Sequence, residues 1–341
     1  MRKLRIAALI REGLVPPEGV TEYDIDNPPE WKMEFDILNT LREMGHDARP
    51  IELYDDLSPV RTSILKWKPH IAFMMLEEFH GVAQYDHAIV SYLELMKQRY
   101  TGCNPRGLIL SHDKALSKKI LNYHRIPTPR FVVYRRRRKI RPMSRLKYPI
   151  LVKSATEDAS FGISQNSIVT SDAALIDRVA FVHDTIGSDA LAEEYIEGRE
   201  LYVGVIGNKQ LSVFPVWEMF FRNMPDDVAH IATARVKWNT KYQKKHGIAT
   251  GPAENMSSEL ASRIQKTCKR VYRALNMSGY GRIDLRMNAE GDIYVIEANA
   301  NPNLEYGEDF SESAEAAGVS YEQLLTRVIN LGLNYNAAWQ Q

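Results

Sequence analysis

Asp284, Glu297 and Asn299 are the side chains whose types and spacing point most directly to chemistry. They lie on two stretches of alternating apolar and polar residues, 282–286 and 293–299, joined by a turn at 288–292 in which Gly291 supplies flexibility. Strand side chains alternate between faces, so Arg282 and Asp284 share one face while Ile283 and Leu285 take the other. The second stretch agrees, with Glu297 and Asn299 opposite Ile296 and Ala298. Burying the two apolar faces together makes the three oxygen donors converge as a hard ligand set suited to Mg²⁺. The competing reading is an outer sheet surface on which the three groups meet only water. Context favours the metal: Lys114 and Lys153 stand upstream at a helix start and on a strand, and a small-residue loop from Ser154 to Gly162 follows the second. Loop amides and lysines are what triphosphate binding uses, although neither a P-loop nor a Gly-x-Gly-x-x-Gly pattern is present.

The elements that position these groups read as α/β. Leu4 to Ile10 is a first strand, and Trp31, Phe35, Leu38 and Leu41 fall at helical spacing before Gly45. Residues 11–29 form a long loop rich in Pro, Gly and acids, of the kind that is functional or mobile. Ile71 to Leu76 is a buried strand, followed by Phe79-His80-Gly81. Ser111 and Asp113 can cap a helix carrying Leu116, Ile120 and Leu121, and Pro149 to Lys153 is a further strand. Residues 223–251 are polar and poorly periodic, and a helix is expected from about Ser257 to Leu275.

The 341 residues contain 44 Lys and Arg against 43 Asp and Glu, a net charge of +1 that removes the global electrostatic case for a nucleic-acid binder. The run Arg135-Arg136-Arg137-Arg138-Lys139 therefore reads as a solvated surface. No apolar stretch approaches the roughly 20 residues needed to cross a bilayer. Only Cys103 and Cys268 occur, without metal or redox spacing, which argues against a disulfide scaffold and fits a reducing cytoplasm.

Taken in order, several segments resemble the ATP-grasp ligases, and within them the D-alanyl-D-alanine ligase group. They are His112-Asp113-Lys114, Pro149 to Lys153 with its loop to Gly162, Glu193 to Glu200, Lys241-Tyr242, Gly281 to Asp284, Glu297 to Pro302, and Ala316 to Leu324. The resemblance spans about residues 60–335 and is weaker before that. It implies an α/β chain with α+β lobes: a pre-ATP-grasp domain at 1–105, a central ATP-grasp lobe at 106–192 and a carboxyl-terminal lobe carrying the metals at 193–341. It implies that Lys114 and Lys153 contact ATP phosphates and that the loop Thr156 to Gly162, with Ser160 as a catalytic hydroxyl, closes over them. Glu193, Glu194, Tyr195 and Ile196 would grip adenine, and Glu200 would bind ribose. Lys241 would reach the γ-phosphate, Arg282 would face the reacting carboxyl carbon, and Asp284, Glu297 and Asn299 would hold two Mg²⁺ ions, with Mn²⁺ as a substitute. His80 and Tyr242 would orient substrate. A homodimer is expected by resemblance only.

The implied activity is ATP-dependent ligation of a small carboxylate to an amine through an acylphosphate, in the cytoplasm. A kinase-like phosphoryl transferase and a nucleotide-responsive binding protein are the alternatives. Three departures bear on substrate. The group's Gly-rich amino-terminal loop is absent, leaving Glu12, Glu18 and Asp26 as weak anchors for an amino group. Asp158 and Ala159 replace the group's Gly and Ser in the phosphate loop. After Pro302, where the group has a serine for the second D-alanine's carboxylate, this chain has Asn303, Glu305, Glu308 and Asp309. Carboxylates repel carboxylates, so the expected acceptor is not D-alanine but an amine or a cationic amino acid.

Overall fold

A computed structural model describes residues 3–25, 27–142, 145–157, 161–225 and 228–340. Ser160, Asp158, Ala159 and Asp26 lie outside the described residues. The chain opens with β1 (Arg5–Arg11), α1 (Lys32–Glu43), β2 (Asp47–Leu53), α2 (Ser58–Thr62), β3 (Ile71–Met74) and α3 (Asp86–Leu95), and the three strands form a parallel sheet of order β2-β1-β3. β1 and β3 read as continuous apolar runs because both of their faces are covered. α4 (Pro105–His112) and α5 (Lys114–Tyr123) follow. α5 starts where expected, with the Asp113 side chain accepting from the Leu116 N–H at 2.8 Å.

A small antiparallel sheet comes next: β4 (Phe131–Tyr134), β5 (Ile150–Ser154), β6 (Ile168–Val169), then α6 (Asp172–Phe181) and β7 (Ala190–Glu194), in the order β4-β7-β5-β6. The chain then builds a six-stranded sheet from β8 (Arg199–Gly207), β9 (Leu211–Val213), β10 (Trp217–Phe221), β11 (Ile248–Pro252), β12 (Tyr280–Met287) and β13 (Ile293–Ala300). Two short helices, α7 (Ala234–Trp238) and α8 (Thr240–His246), fill the stretch without clear periodicity, and α9 (Ser258–Ala274) matches the expected long helix. α10 (Asp309–Ala316) and α11 (Tyr321–Leu333) close the chain.

Packing divides the molecule unequally. Side chains of β1, β3, α3 and α4 share one apolar core with β8, β12 and α9. A second core joins the other face of the first sheet and α1 to α10 and α11. The small sheet and α6 have a core of their own, built around Ile150, Val152, Leu175, Val179 and Ala192. The small lobe is thus an independently packed unit set against a large body. It carries the basic run: Arg135 to Lys139 are all exposed, and Arg136 bonds to Asp189 and to the Gly187 carbonyl. Gly198 lets β8 begin directly over β12. Its φ is +133°, and a Cβ there would meet the Met287 carbonyl oxygen at 2.0 Å. Cys103 and Cys268 are both buried and free. Among the described residues no helix is long and apolar enough to cross a membrane.

Glu34, in the first turn of α1, is 1% exposed and its Oε2 has no hydrogen-bond partner. Burial, with Glu77 and Glu305 adding to it and Arg11 opposing, pushes its carboxyl up to about 7. The folded chain therefore holds this proton over a range in which the unfolded chain has lost it, so stability falls as pH rises from about 4.5 to about 7. Urea unfolding at pH 5 and pH 8 will show the wild type losing stability relative to Glu34→Gln across that window, by on the order of 2–3 kcal/mol.

Candidate active site

The hairpin is the floor of the site. β12 and β13 pair antiparallel, with Arg282 opposite Asn299 and Asp284 opposite Glu297, and a register shift follows at Asp284/Leu285. Cross-strand partners share a face, so all four polar side chains emerge together while Ile283, Leu285 and Ala298 go into the core. Asp284 and Glu297 line a pocket of about 630 Å³, including its open mouth, between the six-stranded sheet and the small lobe. The pocket's apolar walls come from Leu151, Ile163, Ile196 and Ile296, and its polar ones from Lys153, Glu193, Glu200, Lys237 and Arg286.

Arg282 holds Asp284 in a two-point ion pair at 2.7 and 2.9 Å and lies over the ring of Tyr202. Burial pushes Asp284 above the ordinary carboxylate range, against the pull of Arg282. Burial also acts to raise Glu297, but Lys114, Lys153, Lys237 and Arg282 together bring it down to about 2. Lys114 lies 3.8 Å from that carboxylate and donates to the Glu157 carbonyl at 2.8 Å. A firmly ionised carboxylate beside a second carboxylate and an amide oxygen suits a hard divalent cation. A cation here would compete with Arg282 for Asp284.

At the back of the pocket, Glu193 is fixed between two lysines. Lys153 meets Oε1 and Lys118 meets Oε2, both at 2.8 Å, and none of the three side chains is more than 4% exposed. Burial works to raise Glu193, yet the two ammonium groups win and hold it below the usual range. Burial lowers Lys118 in turn. Lys118 also reaches the Val295 carbonyl of β13 at 3.4 Å, so one side chain ties α5 to both sheets.

The structure separates the remaining expected residues. Glu194 lines the pocket, but its carboxylate accepts from the Lys147 N–H at 2.9 Å. The backbone N–H groups of Glu194 and Tyr195 are already bonded to Arg130 and Pro149, which leaves less of this segment to grip a base than expected. Glu200 lines the pocket, held by Tyr202 Oη at 2.8 Å and Arg286 at 3.1 Å. Lys241 is exposed on α8 and does not line the pocket; Lys237, one turn earlier on α7, does. Tyr242 packs against His246 and under Arg235 rather than into the pocket. His80 is exposed, in a left-handed conformation, and stacks on Tyr54. Glu12 and Glu18 are exposed.

Beyond Pro302 the acidic turn is braced from the amino terminus. Lys32 of α1 pairs with Glu305 at 2.6 Å and donates to the Tyr306 carbonyl, while Asp36 accepts from the Tyr306 N–H. Asn303 Oδ1 accepts from the Glu305 N–H, which sets the turn. Desolvation by the surrounding protein, with Asp309 and Glu305 adding and Lys32 and Arg282 opposing, pushes Glu308 up to about 7, although its side chain is exposed.

Sequence reasoning missed Lys118, Lys237, Arg286 and Lys32. A signal existed for two of them. Lys118 stands four residues after Lys114 on one helix, and Arg286 continues the alternation of Arg282 and Asp284.

A family model described as D-ala D-ala ligase C-terminus matches residues 120–330. The chain is 28% identical over 311 residues to an uncharacterized protein, y4sG, of Sinorhizobium fredii, covering 89% of this chain and 88% of that one. It is 27% identical over 305 residues to a D-alanine--D-alanine ligase of Carboxydothermus hydrogenoformans, covering 87% and 91%. The fold matches a D-alanine--D-alanine ligase from Bacillus anthracis complexed with ATP, with a TM-score of 0.70, 24% identity and 97% of each chain covered. It also matches a VanG D-Ala:D-Ser ligase from Enterococcus faecalis, with a TM-score of 0.67, 20% identity, and 97% and 100% of the two chains covered.

Removing one cation from a buried carboxylate leaves charge uncompensated. Lys118→Met is expected to lower unfolding free energy by about 3 kcal/mol, read by chemical denaturation.

Proposed function

The chain belongs to the D-ala D-ala ligase family, ATP-grasp ligases that form an amide bond, and on that premise we propose that it joins a small carboxylate to a cationic amine rather than to D-alanine. The observation that carries the choice of acceptor is the turn Asn303 to Asp309, where Glu305, Glu308 and Asp309 crowd together, Lys32 is bonded to Glu305, and Lys32 and Arg282 only partly offset the acids around Glu308. An acceptor bearing a carboxylate would be repelled there. One bearing a positive charge relieves the repulsion that Asp309 and Glu305 add to the burial raising Glu308.

ATP lies along the pocket with its base against Leu151, Ile163, Ile196 and Ile296, its ribose at Glu200 and its phosphates toward Lys114, Lys153 and Lys237. Lys237 takes the γ-phosphate role expected of Lys241, because α7 and not α8 supplies the pocket wall. Asp284, Glu297 and Asn299 hold Mg²⁺, which when bound neutralises phosphate charge. The carboxylate substrate takes the γ-phosphoryl group to give an acylphosphate, and the amine displaces phosphate. Arg282, already oriented by Asp284, faces the oxyanion of that second step, a contribution of about 3–4 kcal/mol in comparable sites. Closure of the small lobe and of the segment around α7 keeps water from the acylphosphate.

Incubating the protein with ATP, Mg²⁺ and a panel of amino acids and simple amines, and reading phosphate release with product mass, tests the acceptor. Products should contain a cationic amine, and efficient use of D-alanine alone sinks the proposal. In the same assay Lys237→Ala should lower kcat about 100-fold while Lys241→Ala stays within about 3-fold of wild type, if an aligned phosphate contact is worth about 3 kcal/mol.

A further inference from the structure

The basic run Arg135 to Lys139 has no part in the cleft, and the total charge of +1 conceals how unevenly charge is distributed. Residues 130–147 hold nine Lys and Arg and no Asp or Glu, so the other residues together carry −8. All nine cations are exposed. Seven are arginines, whose planar fork meets a phosphate at two points where an ammonium is only a point charge.

The fold gathers the run at a tight turn. The Arg138 N–H donates to the Arg135 carbonyl at 3.3 Å, and Arg137 takes a left-handed φ of +60° to close it. Four consecutive arginines therefore start within about 7 Å of one another. The lobe uses only Arg136, whose backbone N–H donates to Asp189 Oδ1 at 2.9 Å and whose Nη1 donates to the Gly187 carbonyl at 2.7 Å. Among the described residues, the side chains of Arg135, Arg137, Arg138 and Lys139 have no hydrogen-bond or ion-pair partner. Like charges this close repel, and the lobe supplies nothing that offsets them. β4 is an edge strand, where a single charge is enough to discourage pairing with another sheet, a need that this run far exceeds. The turn also stands clear of the pocket. β4 runs antiparallel to β7 with Phe131 opposite the pocket-lining Glu193 and Tyr134 opposite Ala190, so the turn begins roughly 10 Å further along the strand.

The composition of the turn selects among polyanions. A bilayer holds a protein durably through charge plus an apolar anchor, yet the one aliphatic residue from Arg135 to Pro142 is Ile140, which packs on the lobe's own core. Single strands are gripped by stacking on aromatic rings, and residues 135–142 contain none. A duplex asks only for cations. It presents one phosphate charge per about 1.7 Å of its axis and releases condensed counterions as they are neutralised. The net negative charge of the remaining chain repels the same rod and keeps the contact local. We propose that the turn Arg135 to Lys139 is a docking surface for the phosphate backbone of a nucleic-acid duplex, contacted without reading its sequence. The ligase reading is not needed for this.

Fluorescence anisotropy of a labelled DNA duplex of roughly 20 base pairs, titrated with the full chain between about 50 and 200 mM salt, tests it. Log affinity against log salt should fall with a slope of about −4, since five cations each contribute about 0.9. A duplex of unrelated sequence should bind within about 3-fold. The combined variant Arg135→Gln, Arg137→Gln, Arg138→Gln and Lys139→Gln should bind at least about 10-fold more weakly, with a slope near about −1 and unchanged affinity for ATP. Arg137→Lys with Arg138→Lys keeps the charge and should keep the slope. Should the combined variant not fold, Arg137→Gln with Arg138→Gln decides the matter, by a slope smaller by about 2. Absence of binding at the lowest salt overturns the proposal, as does a slope unchanged by the Gln substitutions. Displacement of the duplex by saturating ATP at constant free Mg²⁺ would place it in the cleft instead, and tighter binding to the single strand or to phosphatidylserine vesicles would assign the surface to another partner; each overturns it too.

Discussion

A carboxylate with almost no access to water stays ionised only if cations are built in around it, and Glu193 with Lys118 and Lys153 is that arrangement here. The three side chains come from β7, α5 and β5, so the small lobe and the helix that borders it are held in one relative position by charge as well as by apolar contact. Lys118 extends the tie to the backbone of β13, two residues before Glu297. The back of the pocket and its carboxylate floor are thereby coupled through a single ammonium group. Two lysines against one carboxylate leave a net positive charge, which is directed at the part of the pocket where phosphates are proposed to lie.

Charge is graded along the rest of the cleft. Four cations surround Glu297 strongly enough to override its burial, whereas in the turn after Pro302 Asp309 and Glu305 add to the burial that raises Glu308. Between these extremes the walls are apolar, and Arg286 and Glu200 form a nearly neutral polar end. An elongated anion with a flat apolar head fits this gradient in one orientation. On the proposed reading, the second substrate turns its positive charge to the acidic side. Neither orientation requires a nucleophilic side chain of the protein, consistent with chemistry in which ATP supplies the activation.

Much of this arrangement was legible in the sequence wherever a short-range rule operates. Strand alternation placed Asp284, Glu297 and Asn299 on one face, and an Asp at the right offset announced the start of α5. The family resemblance extended that to Lys153, Glu193 and Glu200, all of which line the pocket. Where no period exists, spacing is silent. The stretch holding α7 and α8 is polar throughout, so nothing local distinguishes the inward Lys237 from the outward Lys241, four residues along. His80, expected to orient substrate, adopts a left-handed backbone and stacks on Tyr54. Long-range pairs such as Lys118 with Glu193, or Lys32 with Glu305, leave no trace in spacing, since only the folded topology brings those positions together.

The Lys32–Glu305 bridge joins positions 273 residues apart. On the proposed reading, in which the turn after Pro302 selects the acceptor, that preference is a joint inheritance of the first helix and the last loop before α10. A chimaera that exchanged only the carboxyl-terminal third with a relative would import a new acidic or neutral loop without its brace, and the two halves of the recognition surface would have to diverge in step.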